Sequence, residues 1–169
     1  AIALELAAAG ADVVVHCHQS VQQAEQVASE ILTSGRRSAV IQGDVRDVGK
    51  LDQLVDAAWA ALGGIDIWVN NAGGSPMRMP IRELPRDEWD RTIALNLTSI
   101  YTGSIAAAKY MAKGAIINIT SGAGTGPVPG SAHYGAAKAG TNSLTWTLAA
   151  EFAPDIRVNA VAPGAIPTE

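Results

Sequence analysis

Tyr134 and Lys138 stand four residues apart in the run Tyr134-Gly135-Ala136-Ala137-Lys138. On a helix that spacing puts a phenol and an ammonium on one face, close enough for the cation to stabilise a phenolate. A Tyr with its ordinary pKa of about 10 is a poor base at neutral pH. A neighbouring Lys and a positively charged cofactor ring together bring it toward the range useful for acid–base catalysis. The pair alone also describes an ordinary Tyr beside a solvated Lys, an arrangement that arises for about one Tyr in twenty. Ser121, 13 residues before Tyr134, supplies a third group. It sits just past an apolar stretch, in a loop leading into the Tyr segment, where a hydroxyl can hydrogen-bond a substrate oxygen. His16, Cys17 and His18 are metal-ligating types, but consecutive strand residues point to opposite faces, so no metal site is expected.

Holding such groups in register takes rigid elements, and the chain carries them in alternation. Ile2, Leu4 and Leu6 lie in an Ala-rich run stopped by Gly10, the end of a helix. Val13 to Cys17 reads as a β-branched strand. Ser20 followed three residues later by Gln23 is a capping-box pattern, which predicts a helix through Leu32 ended by Gly35. Ala39 to Gln42 is the next strand. Leu51, Leu54, Val55, Ala58, Trp59 and Leu62 recur at helical spacing, an amphipathic helix closed by Gly63 and Gly64. Ile65 to Val69 reads as a buried strand running into the loop Asn70 to Gly74. A helical region from about Asp87 to Lys113, broken near Asn96, precedes a strand at Ala115 to Ile119. Thr120 to Ser131 is a Gly/Pro loop, His133 to Phe152 a helix, Ile156 to Ala160 a strand, and Ala162 to Glu169 irregular. This alternation implies right-handed crossovers and a parallel sheet covered by helices on both faces. Ligands of such sheets bind at the carboxyl ends of the strands, where Asp44, Asn70 to Gly74, Ser121 and Pro163-Gly164 fall.

Several of these segments resemble motifs of the short-chain dehydrogenase/reductase family. Asn70-Asn71-Ala72-Gly73 resembles its NNAG motif, and Asn96 in Ala94-Leu95-Asn96-Leu97 its tetrad Asn. Asn118-Ile119-Thr120-Ser121 resembles the strand and loop of its catalytic Ser, Tyr134 to Lys138 its YxxxK signature, and Pro163-Gly164-Ala165-Ile166-Pro167-Thr168 its PGxIxT stretch. The similarity runs in order over all 169 residues. It implies one Rossmann-type α/β domain over residues 1–169, a doubly wound parallel sheet in three αβα layers. It also implies reversible hydride transfer between a nicotinamide and a carbonyl or alcohol carbon. By the same resemblance Tyr134 is the acid/base, and Lys138 lowers its pKa and holds the nicotinamide ribose. Ser121 orients and polarises the substrate oxygen, and Asn96 holds a water linking Lys138 to solvent. Apart from the family, Asn96 reads as a helix kink with a self-bonded amide. The competing expectation is a catalytically idle nucleotide-sensing or scaffold protein on the same fold, against which the intact tetrad argues. Substrate identity stays open among 3-oxoacyl-acyl-carrier-protein, sugar and xenobiotic carbonyl compounds.

The resemblance also marks a cofactor path. Asp44 sits where the family hydrogen-bonds adenine, with Val45 beside the ring; the alternative is a turn Asp capping the next helix, which Asp47 could equally be. Asn70, Ala72 and Gly73 are expected to bring backbone close to the cofactor and to brace neighbouring strands. Ile166 and Thr168 match positions that contact the carboxamide and phosphates, with Pro163 and Gly164 leading into them. Cys17 and His18 end the strand that meets the adenosine ribose. NAD-specific relatives place an acid there, this chain has none, and NADP(H) is therefore expected over NAD(H). The family's Gly-rich phosphate loop on a central strand, and its lid, helix and last strand, are not in the sequence. The expectation is a piece of a protein of roughly 250 residues, with two inner strand edges left unpaired.

Composition narrows the partners. Twelve Lys and Arg against 16 Asp and Glu give a net charge of −4 with no basic cluster, so neither nucleic acid nor an anionic membrane is expected. Apolar residues at 48% and charged ones at 17% exclude disorder. One Cys excludes an internal disulfide and a Cys-based metal cage and suits a reducing cytoplasm. Ala1 to Val15 is apolar but holds Glu5, Gly10 and Asp12 without a basic lead, so it reads as neither signal peptide nor membrane span. Trp59, Trp68, Trp89 and Trp146 are expected in the core or at subunit contacts. The helices around Ile100 to Lys113 and Thr141 to Phe152 are expected to pair copies into a homotetramer, or a dimer.

Overall fold

A computed structural model describes residues 1–74 and 77–164, and the chain divides into two compact units, Ala1–Ile65 and Asp66–Glu169. The first unit contains α1 (Ile2–Ala8), β1 (Val13–Cys17), α2 (Val21–Thr33), β2 (Ser38–Gln42) and α3 (Val48–Leu62). β1 and β2 pair in parallel from Val13 opposite Ser38 to Cys17 opposite Gln42. Asp12 fixes where they start, accepting from the backbone N and the Nε of Arg37 at 2.8 Å each and pairing with Arg36 at 2.9 Å. The helices are held by their apolar stripes: Ala24, Ala28 and Ile31 of α2 are buried, as are Leu51, Val55 and Ala58 of α3. α3 stops at Gly63, whose φ of 82° only a residue without a Cβ adopts freely. Ser20 does precede α2, but its hydroxyl makes no capping bond, so the expected capping box is not formed. Asp47, and not Asp44, precedes α3.

The second unit contains β3 (Ile67–Asn70), α4 (Arg86–Ile93), a π turn (Ala94–Thr98), α5 (Ser99–Ala108), β4 (Gly114–Ile119), a 3-10 turn (Gly122–Gly124), α6 (Ala132–Glu151) and β5 (Ile156–Val161). Its sheet is parallel in the order β3-β4-β5, with Asn70 opposite Asn118 and Ile119 opposite Val161. Ile100, Ile116, Ala137, Leu148 and Val158 form its apolar interior. The expected break near Asn96 is a π turn joining α4 to α5, and α5 ends at Ala108, short of Lys113. β3 begins two residues later than the apolar pattern suggests.

The fold is thus α/β with parallel pairing throughout. Among the described residues β1 pairs with β2 and β3 with β4, so each is the outer strand of its own sheet. No described helix is long and apolar enough to cross a membrane.

Candidate active site

The carboxyl end of β4 leads directly into Ser121. Its backbone is extended, and its Oγ accepts a hydrogen bond from Ala123 N at 3.2 Å, which folds the next residues into the 3-10 turn. This turn lies against α6 with almost no clearance. A Cβ on Gly124 would sit 2.7 Å from the carbonyl carbon of Lys138 and 2.8 Å from its oxygen, and one on Gly135 would sit 3.3 Å from Ala123 O. Small residues on both sides therefore seat the Ser121 loop on the helix that carries Tyr134 and Lys138.

Tyr134 is the third residue of α6, and Lys138 follows one turn later. The Lys138 ammonium is 5.7 Å from the centre of the Tyr134 ring, within cation–π range, and donates to Ile119 O at 2.8 Å. Lys138 is only 2% exposed, and burial lowers its pKa to about 8. It remains an ammonium at neutral pH, with its charge directed at the Tyr ring and the end of β4.

Asn96 lies wholly buried in the π turn. Its Oδ1 accepts from Gly74 N at 2.9 Å, and its Nδ2 donates to Gly74 O at 2.9 Å and to Thr92 O at 3.1 Å. The self-bonded amide is therefore one part of what the side chain does; the other is a two-bond clamp on the loop after β3. The clamp sets Gly73 beside the lysine: a Cβ there would lie 2.8 Å from Asn96 Oδ1 and 3.2 Å from Lys138 Nζ. Asn70 braces the strands. Its Nδ2 donates to Asn118 Oδ1 at 2.8 Å and to Ser104 Oγ at 2.9 Å, while its Oδ1 accepts from Trp68 Nε1 at 2.7 Å. Asn118 Nδ2 continues to Thr145 Oγ1 at 2.9 Å. Ala72 is half-buried in the same loop.

The first unit gathers the expected adenosine-side residues at the carboxyl ends of β1 and β2. Cys17, the last residue of β1, is buried, and His18, just past it, is exposed. Asp44 accepts from the backbone N of Arg46 at 2.9 Å and is gripped by its guanidinium, the shorter contact being 2.6 Å. That grip holds the Asp44 carboxyl down at about 2. His18 Nε2 stands 3.7 Å from Asp44 Oδ2, and Val45 is half-buried beside them. His16, exposed on β1, is spent on Gly43 O at 2.9 Å. Among the described residues no three His, Cys, Asp or Glu side chains cluster as a metal site. Pro163 and Gly164 follow β5; Ile166 and Thr168 lie outside the described residues.

A family model described as short chain dehydrogenase matches residues 1–169. The chain belongs to the short chain dehydrogenase family. It is 42% identical to the 3-oxoacyl-acyl-carrier-protein reductase of Synechocystis sp. over all of this chain and 70% of that protein. It is 39% identical to 3beta-hydroxysteroid dehydrogenase 1 of Eggerthella lenta over 99% of this chain and 66% of that one. Among solved structures, a short chain dehydrogenase from Burkholderia cenocepacia J2315 in complex with NADP superposes with a TM-score of 0.93 at 36% identity, covering 97% of this chain and 68% of that one. The chain thus spans about two-thirds of the length of these relatives.

Membership in the short chain dehydrogenase family accounts for the order of the motifs, and the second unit brings the Ser121 loop, Tyr134, Lys138 and Asn96 onto one group of touching elements. Two contributors were not singled out from the sequence, Arg46 and Thr145. Arg46 carried a signal, an arginine two residues after an aspartate in a turn. Thr145 carried none, because it meets Asn118 across 27 residues of chain.

Proposed function

We propose that this short chain dehydrogenase is an NAD(P)-dependent oxidoreductase acting on a carbonyl or secondary alcohol, with Tyr134 as its acid/base. The observation that carries the reading is the buried Lys138 ammonium, 5.7 Å from the Tyr134 ring on the helix that also seats the Ser121 loop. A bound nicotinamide would supply the hydride in reduction and take it up in oxidation. In reduction the Tyr134 hydroxyl gives its proton to the carbonyl oxygen as the carbon gains the hydride; in oxidation the phenolate takes that proton back. Lys138 stabilises the phenolate, and the Ser121 hydroxyl orients the substrate oxygen and stabilises its developing charge. The bare backbone at Gly73 beside Lys138 fits the close approach of a cofactor ribose, for which a Cβ would leave little room. In this reading Asn96 holds a water between Lys138 and solvent as well as clamping Gly74. The cofactor-binding residues in this reading are Cys17, His18, Asp44 and Val45 in the first unit and Asn70, Ala72, Gly73, Pro163 and Gly164 in the second.

NADP(H) is the favoured cofactor. No acid stands at Cys17 or His18 to bond ribose hydroxyls, and Arg46 neutralises Asp44 while His18 lies beside it. A 2′-phosphate is compatible with that charge balance. Tighter binding of NADPH than NADH at neutral pH is the expected result, and the reverse order overturns the preference.

The catalytic assignment is tested in the full-length protein with a panel of ketones and alcohols. Tyr134→Phe is expected to lower kcat by about 100-fold or more while cofactor binding is kept. Equal rates in the two proteins overturn the role of Tyr134. Cofactor binding with no turnover on any panel member favours a nucleotide sensor.

A further inference from the structure

Thr141 has no part in the motifs, yet it is completely buried and its hydroxyl reaches the π turn: Oγ1 lies 2.9 Å from Asn96 O and 3.0 Å from Ala137 O. The two acceptors differ in need. Ala137 O lies in the regular part of α6, where the helical ladder already brings it the Thr141 N–H. Asn96 O lies where the ladder is stretched to π spacing, a place where side chains commonly step in to satisfy carbonyls.

We propose that Thr141 is a positioning residue whose hydroxyl fastens the π turn of Asn96 to α6, and so keeps the Gly73–Gly74 backbone against Lys138. The linkage is continuous. Thr141 holds the Asn96 carbonyl, the Asn96 amide clamps Gly74 through both N–H and C=O, and Gly73 is thereby set beside Lys138 Nζ, one turn back along the helix from Thr141. Thr145 supports the same turn of α6 from the other side, donating to Thr141 O at 2.8 Å while accepting from Asn118 at 2.9 Å. The functional part of this proposal rests on the reading of Tyr134 and Lys138 as the acid/base pair; the structural part does not.

The test compares Thr141→Val, Thr141→Ala and Thr141→Ser in the full-length protein by two readouts. The first is hydrogen exchange at the Gly74 amide, which donates to Asn96 Oδ1. Val and Ala are expected to speed this exchange about ten-fold while amides of β4 keep theirs, and Ser to restore it. The second is steady-state kinetics. Val and Ala are expected to lower kcat about ten-fold with KM within about two-fold, and Ser to recover most of the loss. A uniform rise in exchange, or failure of Ser to rescue, reduces Thr141 to a packing residue and overturns the proposal. Loss of kcat with Gly74 protection unchanged overturns it too, since the effect then bypasses the clamp. A wild type without turnover removes the acid/base reading and leaves the clamp to be decided by exchange alone.

Discussion

With 2% of its surface exposed and the Ile119 carbonyl at 2.8 Å, the Lys138 ammonium sits where its charge is disfavoured, and its pKa falls from 10.5 to about 8. The unfolded chain therefore holds this proton more tightly than the folded one between about 8 and 10.5, and folding stability rises with pH across that window. Lys138→Met lacks the titration. The stability of the wild type relative to this variant is expected to grow by about 2 kcal/mol between pH ~7.5 and ~9.5, read from urea unfolding. A constant difference would show that the lysine is solvated. The spacing of Tyr134 and Lys138 was legible in the sequence because four residues on a helix fix a shared face. The burial of Lys138 was not, because lysines are ordinarily exposed and nothing local distinguishes this one. Arg46 and the Asn96 clamp are similar: the residues could be named, while the bonds that give them roles depend on which loop folds back to meet them.

At the scale of elements, the geometry that matters is the seat of the Ser121 turn on α6. Gly124 meets backbone there, the carbonyl of Lys138 and the nitrogen of Ala139, and backbone cannot step aside as a flexible side chain would. Gly124→Ala is expected to push the turn off the helix and lower kcat about 100-fold with little change in helix content by circular dichroism. Wild-type activity in this variant would mean that the turn adapts and that its seat does not place Ser121. Most elements were readable because their burial is one-sided or complete. The strand read from Val13 to Cys17 matches β1 end to end, and Leu51, Val55 and Ala58 marked the buried stripe of α3. Ends were less readable. Ile65 looks like strand, but pairing begins at Ile67, and Ser20 has capping chemistry without making the bond. A terminus depends on where partners stop, which periodicity does not encode. The chain of Asn70, Asn118 and Thr145 shows the same limit, since long-range polar pairing leaves no period to detect.

At the scale of the whole molecule, the outward faces of α5 and α6 carry more aromatic surface than two solvated helices need. α6 buries His133, Ala137, Lys138, Thr141, Thr145 and Leu148 on one side, while Trp146 is 74% exposed. On α5, Tyr101 is 53% exposed although most of that helix is buried. An indole removed from water gains on the order of 2–3 kcal/mol, and a helix apolar beyond a single stripe calls for a second surface to cover it. A second copy of the chain meeting α5 and α6 about a two-fold axis would cover these aromatic residues, and a second two-fold axis perpendicular to the first would join two such dimers into a tetramer. The full-length protein is therefore expected to run as a homotetramer in light scattering at micromolar concentration. Trp146→Glu places a charge in the centre of that contact and should shift the mass toward smaller species with the fold retained, because Trp146 makes little of its contact within the unit. A monomeric wild type, or a Trp146→Glu variant with undiminished mass, would assign the exposed indole to ordinary surface and leave α5 and α6 without a subunit to cover them.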